Sequence, residues 1–179
     1  MSTPSTLKLP RASAIALKLQ ESMQPYCHQI EIAGSIRRAK PYVGDVDFVI
    51  LPRDRAGLEQ RIHLAGWERV TEGPQNCIYR VKLSDGFPLQ IDIFYARPTT
   101  SDLFKTTPTN FGTLLLCRTG SKEHNIKLVE HAKKMGLRWN PYEGVFDAHD
   151  RLLASETETA IFRALELDYL APRTAKPKP

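Results

Sequence analysis

Apolar residues recur every four positions near the start of the chain, at Ile15, Leu19 and Met23 with Ala12 and Ala16 alongside. That spacing predicts an amphipathic helix over Arg11 to Met23, stopped by Pro25. The pattern then shortens to the period of two that strands require. Gln29 to Ala33, with Ile30 and Ile32 apolar, and Val46 to Leu51 are predicted strands, joined by a basic turn holding Gly34, Arg37, Arg38, Lys40 and Gly44. A short helix over Gly57 to Leu64 follows. Strands are predicted at Cys77 to Leu83 and Leu89 to Tyr95, either side of the turn Ser84-Asp85-Gly86. The first half thus alternates helix and strand as a mixed α/β lobe.

Beyond Arg97-Pro98 the strand signal fades, which sets a lobe boundary between residues 1–97 and 98–179. Asn110 to Cys117 and Lys122 to Met135 read as helices broken at Thr119-Gly120-Ser121. Turn residues between the short apolar pieces of Leu137 to Leu153 suggest a small sheet. Ser155 with Glu158 has the pattern of a capping box before Ile161, Phe162, Leu165 and Leu167, a last helix ended by Pro172. The Ser/Thr/Pro opening and the Lys/Pro tail are expected to be frayed. The fold class is therefore α+β, a mixed sheet with flanking helices followed by a small helical lobe with a short β-sheet.

With 41% hydrophobic and 25% charged residues in 179, the chain excludes disorder, collagen and coiled coil. A net charge of +5 leans mildly toward polyanionic partners. Cys27, Cys77 and Cys117 are an odd count at wide spacing, which argues against a disulfide scaffold or zinc site and fits a reducing compartment. No apolar run approaches the ~18 residues of a membrane span, and the opening residues lack a signal peptide's apolar core. A soluble, cytoplasmic protein is the expectation, without membrane partners.

The chemistry concentrates in Gly34-Ser35-Ile36-Arg37-Arg38 and in Gly44-Asp45-Val46-Asp47. Side chains alternate on a strand, so Asp45 and Asp47 share a face, roughly 6 to 7 Å apart along it. Two such carboxylates repel, and the apolar run Phe48 to Leu51 after them enters a core. A divalent cation is the simplest compensation, and all-oxygen ligands favour Mg²⁺ or Mn²⁺ over zinc. Asp92 interrupts a strand that would otherwise read as buried, and a charge there needs a partner. If the two strands are neighbours, Asp45, Asp47 and Asp92 gather around two metals for in-line displacement at phosphorus, with Asp92 as proton acceptor. A lone D-x-D is commonly just a strand end; the third carboxylate and the glycine turn raise its weight. Gly34 lets backbone N–H groups approach a phosphate, Ser35 adds a hydroxyl, and Arg38 could fork onto phosphate oxygens, though no Walker loop is present.

Together these residues resemble the DNA polymerase X family, the polymerase β-like nucleotidyltransferases. Their palm pattern of a Gly-Ser turn, an arginine pair and Gly-Asp-x-Asp is matched by Gly34, Ser35, Arg37, Arg38, Gly44, Asp45 and Asp47, and Leu89 to Phe94 is similar to the strand of the third aspartate. Phe111 to Ser121 and Asn125 are similar to the nucleotide-selecting helix, the Thr-Gly-Ser turn and the minor-groove asparagine. Ser155 to Phe162 and Tyr169 to Arg173 are similar to the family's C-terminal helix and tail, so the resemblance runs from about residue 10 to 173.

The resemblance implies a DNA-directed DNA polymerase that adds nucleotides to a DNA 3′-hydroxyl in gap-filling repair. Residues 1–97 would be the catalytic palm and 98–179 a nucleotide-selecting, DNA-contacting lobe. Catalysis and metal binding would fall to Asp45, Asp47 and Asp92 with two Mg²⁺, or Mn²⁺ in their place. Gly34, Ser35, Arg38, Gly44, Cys117, Arg118, Gly120, Ser121 and Asn125 would bind the nucleotide. Its partners would be nucleoside triphosphates and DNA, as primer–template or gapped duplex, with the chain acting as a monomer. The Gly120-Ser121 bond is expected to be cis, at a cost of about 3 kcal/mol.

Three departures stand out. Cys117-Arg118 occupies the place of an aromatic pair that helps many members exclude a ribose 2′-hydroxyl, so weakened sugar discrimination is implied. Gln90 stands where an arginine often precedes the third aspartate. Nothing before residue 10 resembles the lyase domain of longer members, so the short, two-lobed viral or microbial forms are the expectation.

Grip on DNA would come from Lys127, His131, Lys134 and Arg138, at i, i+4, i+7 and i+11 on one helical stripe, where a solvated basic face is the plainer alternative. Three rivals remain: a nucleotidyltransferase acting on a protein, tRNA or small molecule, a template-independent terminal transferase, and a catalytically silent DNA-binding module.

Overall fold

The computed structural model describes residues 6–103 and 106–172, so the opening residues and the Lys/Pro tail lie outside the described residues. The chain divides between Tyr95 and Ala96 into two compact units, two residues ahead of the boundary expected at Arg97-Pro98.

The first unit begins with a short strand β1 (Leu7–Lys8) and helix α1 (Leu9–Met23). Strand β2 (Cys27–Ile32) leads into a four-residue helix α2 (Gly34–Arg37), strand β3 (Tyr42–Val43) and the long strand β4 (Asp45–Pro52). Helix α3 (Arg55–Leu64) is started by Asp54, whose carboxylate accepts the Gly57 N–H at 2.9 Å. Strands β5 (Glu68–Glu72), β6 (Asn76–Lys82) and β7 (Pro88–Tyr95) complete the unit.

Five of these strands form one mixed sheet in the order β2-β4-β7-β6-β5, parallel only between β4 and β7. A parallel pair needs a crossover, and α3, β5 and β6 supply it. Val46, Phe48 and Ile50 on β4 and Leu89, Ile91 and Ile93 on β7 are fully buried in one core with Ala12, Ala16, Leu58 and Ile62 of α1 and α3. Burial of these apolar side chains fixes the register, and alternation then turns Asp45, Asp47, Gln90 and Asp92 to the opposite face. Strand β5 is not foreshadowed in the sequence: every one of its residues is exposed, so it carries no burial alternation.

The second unit opens with a two-residue ladder of β8 (Thr100–Ser101) and β9 (Thr106–Thr107). Helices α4 (Phe111–Thr119) and α5 (Lys122–Lys134) follow, then a three-stranded antiparallel sheet, β10 (Arg138–Asn140), β11 (Gly144–Phe146) and β12 (Leu152–Ala154), and helix α6 (Glu158–Ala164). Leu116, Leu128, Trp139, Val145, Ile161 and Phe162 form its core. The chain before α6 runs hard against α4. A Cβ on Gly112 would lie 2.3 Å from Thr157 Cα, and the N–H groups of Gly112 and Thr113 donate to the carbonyls of Glu156 and Ser155.

That contact relocates the cap of α6. The Ser155 hydroxyl donates to the Thr109 carbonyl at 2.8 Å, and Thr157 accepts the Ala160 N–H instead, so the predicted Ser155–Glu158 capping box does not form. Nor is any described peptide bond cis, Gly120-Ser121 included. Gly120 (φ −59°, ψ 158°) and Ser121 (φ −73°, ψ 162°) are plain extended residues, and Ser121 caps α5 by accepting the His124 N–H, which leaves nothing to offset the cost of a cis bond.

Candidate active site

Parallel pairing of β4 with β7 sets Asp47 directly beside Asp92 and Asp45 beside Gln90. The three carboxylates are half-buried, and one oxygen from each lies within 4.8 Å of the other two. This group could hold a metal ion. Its donors are all carboxylate oxygens, the set that suits a hard divalent cation. Gln90, on the same face, donates from Nε2 to Asp92 Oδ1 at 2.9 Å, so a neutral amide orients the third carboxylate.

The turn after β2 is built against this group. Gly34 has φ +57°, a left-handed conformation, and a Cβ there would fall 1.7 Å from Asp47 Oδ2. Backbone freedom and close approach therefore both demand glycine. The Ala33 N–H donates to the Asp47 carbonyl at 2.8 Å, tying the turn to β4. Where the sequence predicts a basic turn, the chain forms the single helical turn α2, continued by hydrogen bonds from Arg38 N–H to the Gly34 carbonyl and from Lys40 N–H to the Ser35 carbonyl. Four residues cannot carry a helical period, which is why no pattern announces it. Ser35 Oγ is buried and meets no hydrogen-bond partner among the described residues. An orphaned hydroxyl beside a carboxylate cluster is a donor awaiting an acceptor. Gly44 is exposed, with nothing within 4 Å of a would-be Cβ.

The second group of predicted residues belongs to the other unit. At the end of α4, Arg118 donates to the Tyr142 hydroxyl at 2.7 Å, and its guanidinium carbon stands 5.3 Å from that ring's centroid. Sequence reasoning misses Tyr142, which lies in a turn without charge or period to single it out. Asn125 donates to the Cys117 carbonyl at 2.8 Å, and a Cβ on Gly120 would come within 2.5 Å of Asn125 Oδ1. Cys117, Gly120 and Asn125 thus form one packed corner. Burial pushes the Cys117 thiol up, and burial, then Lys127, holds His124 below its ordinary value.

The predicted basic stripe narrows to Lys127 and Lys134, both exposed on α5. His131 is half-buried, its Nε2 2.9 Å from the Leu165 carbonyl. Arg138 lies past the helix on β10, paired with Asp150 and Glu143 and over the Phe146 ring. Helix α5 stops at Lys134, so the i+11 position never joins the stripe.

Residues 114–174 match the family model of the DNA polymerase beta thumb. DNA polymerase/3′-5′ exonuclease PolX of Bacillus subtilis (strain 168) is 32% identical over 142 residues, covering 78% of this chain and 23% of that protein. The chain belongs to the polymerase X family. It spans about a quarter of the length of that curated relative. Among solved structures, Leishmania infantum polymerase beta in a ternary P/T complex matches 96% of this chain and 77% of its own at TM-score 0.73 and 18% identity. The ternary gap complex matches 96% and 71% at TM-score 0.74 and 16% identity. Both share the family X fold of this chain. No described helix is long and apolar enough to cross a membrane.

Proposed function

We propose that this family X chain is a DNA polymerase that joins a nucleotide to a DNA 3′-hydroxyl with release of pyrophosphate, in gap-filling repair. The observation that carries the reading is the meeting of Asp45, Asp47 and Asp92 within 4.8 Å, beside the Gly34–Ser35 turn. A new bond forms from the 3′-oxygen to the α-phosphorus, the α–β bridging bond breaks, and Asp92 accepts the hydroxyl proton. Asp45 and Asp47, with Asp92, would hold two Mg²⁺ ions or Mn²⁺ in their place. Bound there, such ions neutralise phosphate charge and acidify the attacking hydroxyl.

The chain's own groups supply the rest. The Ser35 hydroxyl and the amides of the Gly34 turn donate to the β and γ phosphates, with Arg38 and Gly44 alongside. From the second unit, the family resemblance assigns Cys117, Arg118, Gly120, Ser121 and Asn125 to nucleotide binding. Lys127 and Lys134 contact DNA phosphates. The chain would act as a monomer.

Equilibrium binding of nucleoside triphosphates, with and without Mg²⁺ or Mn²⁺, tests this reading. Binding should require the metal, be lost in Asp45→Ala, and differ little between ribo- and deoxynucleotides, since Cys117-Arg118 offers no aromatic wall. Metal-independent binding that survives Asp45→Ala would refute the assignment of the carboxylates.

A further inference from the structure

The sheet face that carries the carboxylates continues past Asp92 onto β6 and β5. Ile78 stands opposite Asp92, Arg80 opposite Gln90, and Glu68 beyond Arg80. Alternation puts Ile78, Arg80 and Lys82 on the same face as Asp92, Ile78 half-buried and the two cations exposed. Diagonal neighbours on such a face are roughly 7 to 8 Å apart, within reach of an arginine, so the Arg80 guanidinium can sweep the surface beside Asp92. Its pair with Glu68, 3.8 Å apart with side chains 55% and 69% exposed, is a solvated contact that holds it loosely.

The strand order gives this patch a direction. Carboxylates on β4 and β7 occupy the middle of the order β2-β4-β7-β6-β5. The Gly34–Ser35 turn follows β2 on one flank, and Arg80 and Lys82 lie on β6, on the other. In-line displacement brings nucleophile and leaving group from opposite sides of phosphorus. On the polymerase reading, phosphate donors on the β2 flank serve the leaving pyrophosphate, so cations on the β6 flank face whatever delivers the nucleophile. Two cations at i and i+2, roughly 6.8 Å apart, suit a repeating phosphodiester better than a single anion.

We propose that Ile78, Arg80 and Lys82 form the track for the nucleic-acid strand being extended. The terminal sugar rests on Ile78, and the backbone phosphates behind it meet Arg80 and Lys82. The proposal rests on the polymerase reading above and adds to it residues that no motif supplied.

The test uses the full chain and the double variant Arg80→Ala/Lys82→Ala, both sites being exposed enough to leave folding intact, with a thermal melt as control. Steady-state extension should show KM for primer–template raised about tenfold, with kcat and the nucleotide KM within about twofold of wild type. Without nucleotide, the slope of log K against log salt should become shallower by about 2, one unit for each DNA phosphate that the variant no longer neutralises. Glu68→Gln, which frees Arg80, should tighten DNA binding. An unchanged primer–template KM and salt slope in a variant that still extends primers would overturn the track. A wild-type chain that extends no primer would overturn the polymerase reading and the track together, and that failure shows in the wild type alone.

Discussion

Gly34 is the residue on which the carboxylate group most visibly depends. Its left-handed φ of +57° costs any other residue about 1–2 kcal/mol, and a Cβ would also drive into Asp47 Oδ2 at 1.7 Å. Gly34→Ala should therefore lower the melting temperature and, by displacing Asp47, cut extension about a hundredfold. A melt and turnover equal to wild type would contradict that account. Gly44→Ala is the contrasting case, since open space surrounds its would-be Cβ. At this scale the sequence is unusually legible. Charges placed on an apolar strand stand out, so Asp45, Asp47 and Asp92 can be singled out by alternation together with the glycine turn before them. Tyr142 and the Gln90–Asp92 bond cannot be read in the same way, because a single hydrogen bond leaves no period in the chain.

Among the elements, α4 and the chain leading into α6 fit closely, backbone against backbone. Gly112 lets Thr157 approach to 2.3 Å of a would-be Cβ, and backbone atoms cannot retreat as a side-chain tip can. Gly112→Ala should destabilise the second unit by about 1–3 kcal/mol in denaturant unfolding, the usual cost of overpacking. No measurable change would mean that the two segments are free to separate. The same contact explains why the sequence misplaces the cap of α6. Ser155 and Thr157 both offer capping hydroxyls, and only the packed structure shows Ser155 drawn to the Thr109 carbonyl. Long elements with a full apolar period, α1 and α5 above all, are legible to within two residues. The exposed edge strand β5 and the four-residue α2 are not, for want of any period to read.

For the molecule as a whole, the crossover between β4 and β7 turns a sequence pattern into a cluster of three carboxylates. Residues 45 and 47 meet residue 92 only because the intervening α3, β5 and β6 return the chain parallel to its start. The strand order then separates a β2 flank, with its buried Ser35 hydroxyl, from a β6 flank that exposes Arg80 and Lys82. That the gathered carboxylates Asp45, Asp47 and Asp92 carry nucleotide addition to a DNA 3′-hydroxyl is the central claim. Extension of a labelled primer opposite a one-nucleotide gap, by wild type and by Asp92→Asn with Mg²⁺ present, tests it most directly. The account predicts templated addition by the wild type and a loss of about 10²–10⁴-fold in the variant, the range for removing a general base. Undiminished extension by Asp92→Asn, or no extension by a wild type that still binds nucleotide, would contradict it.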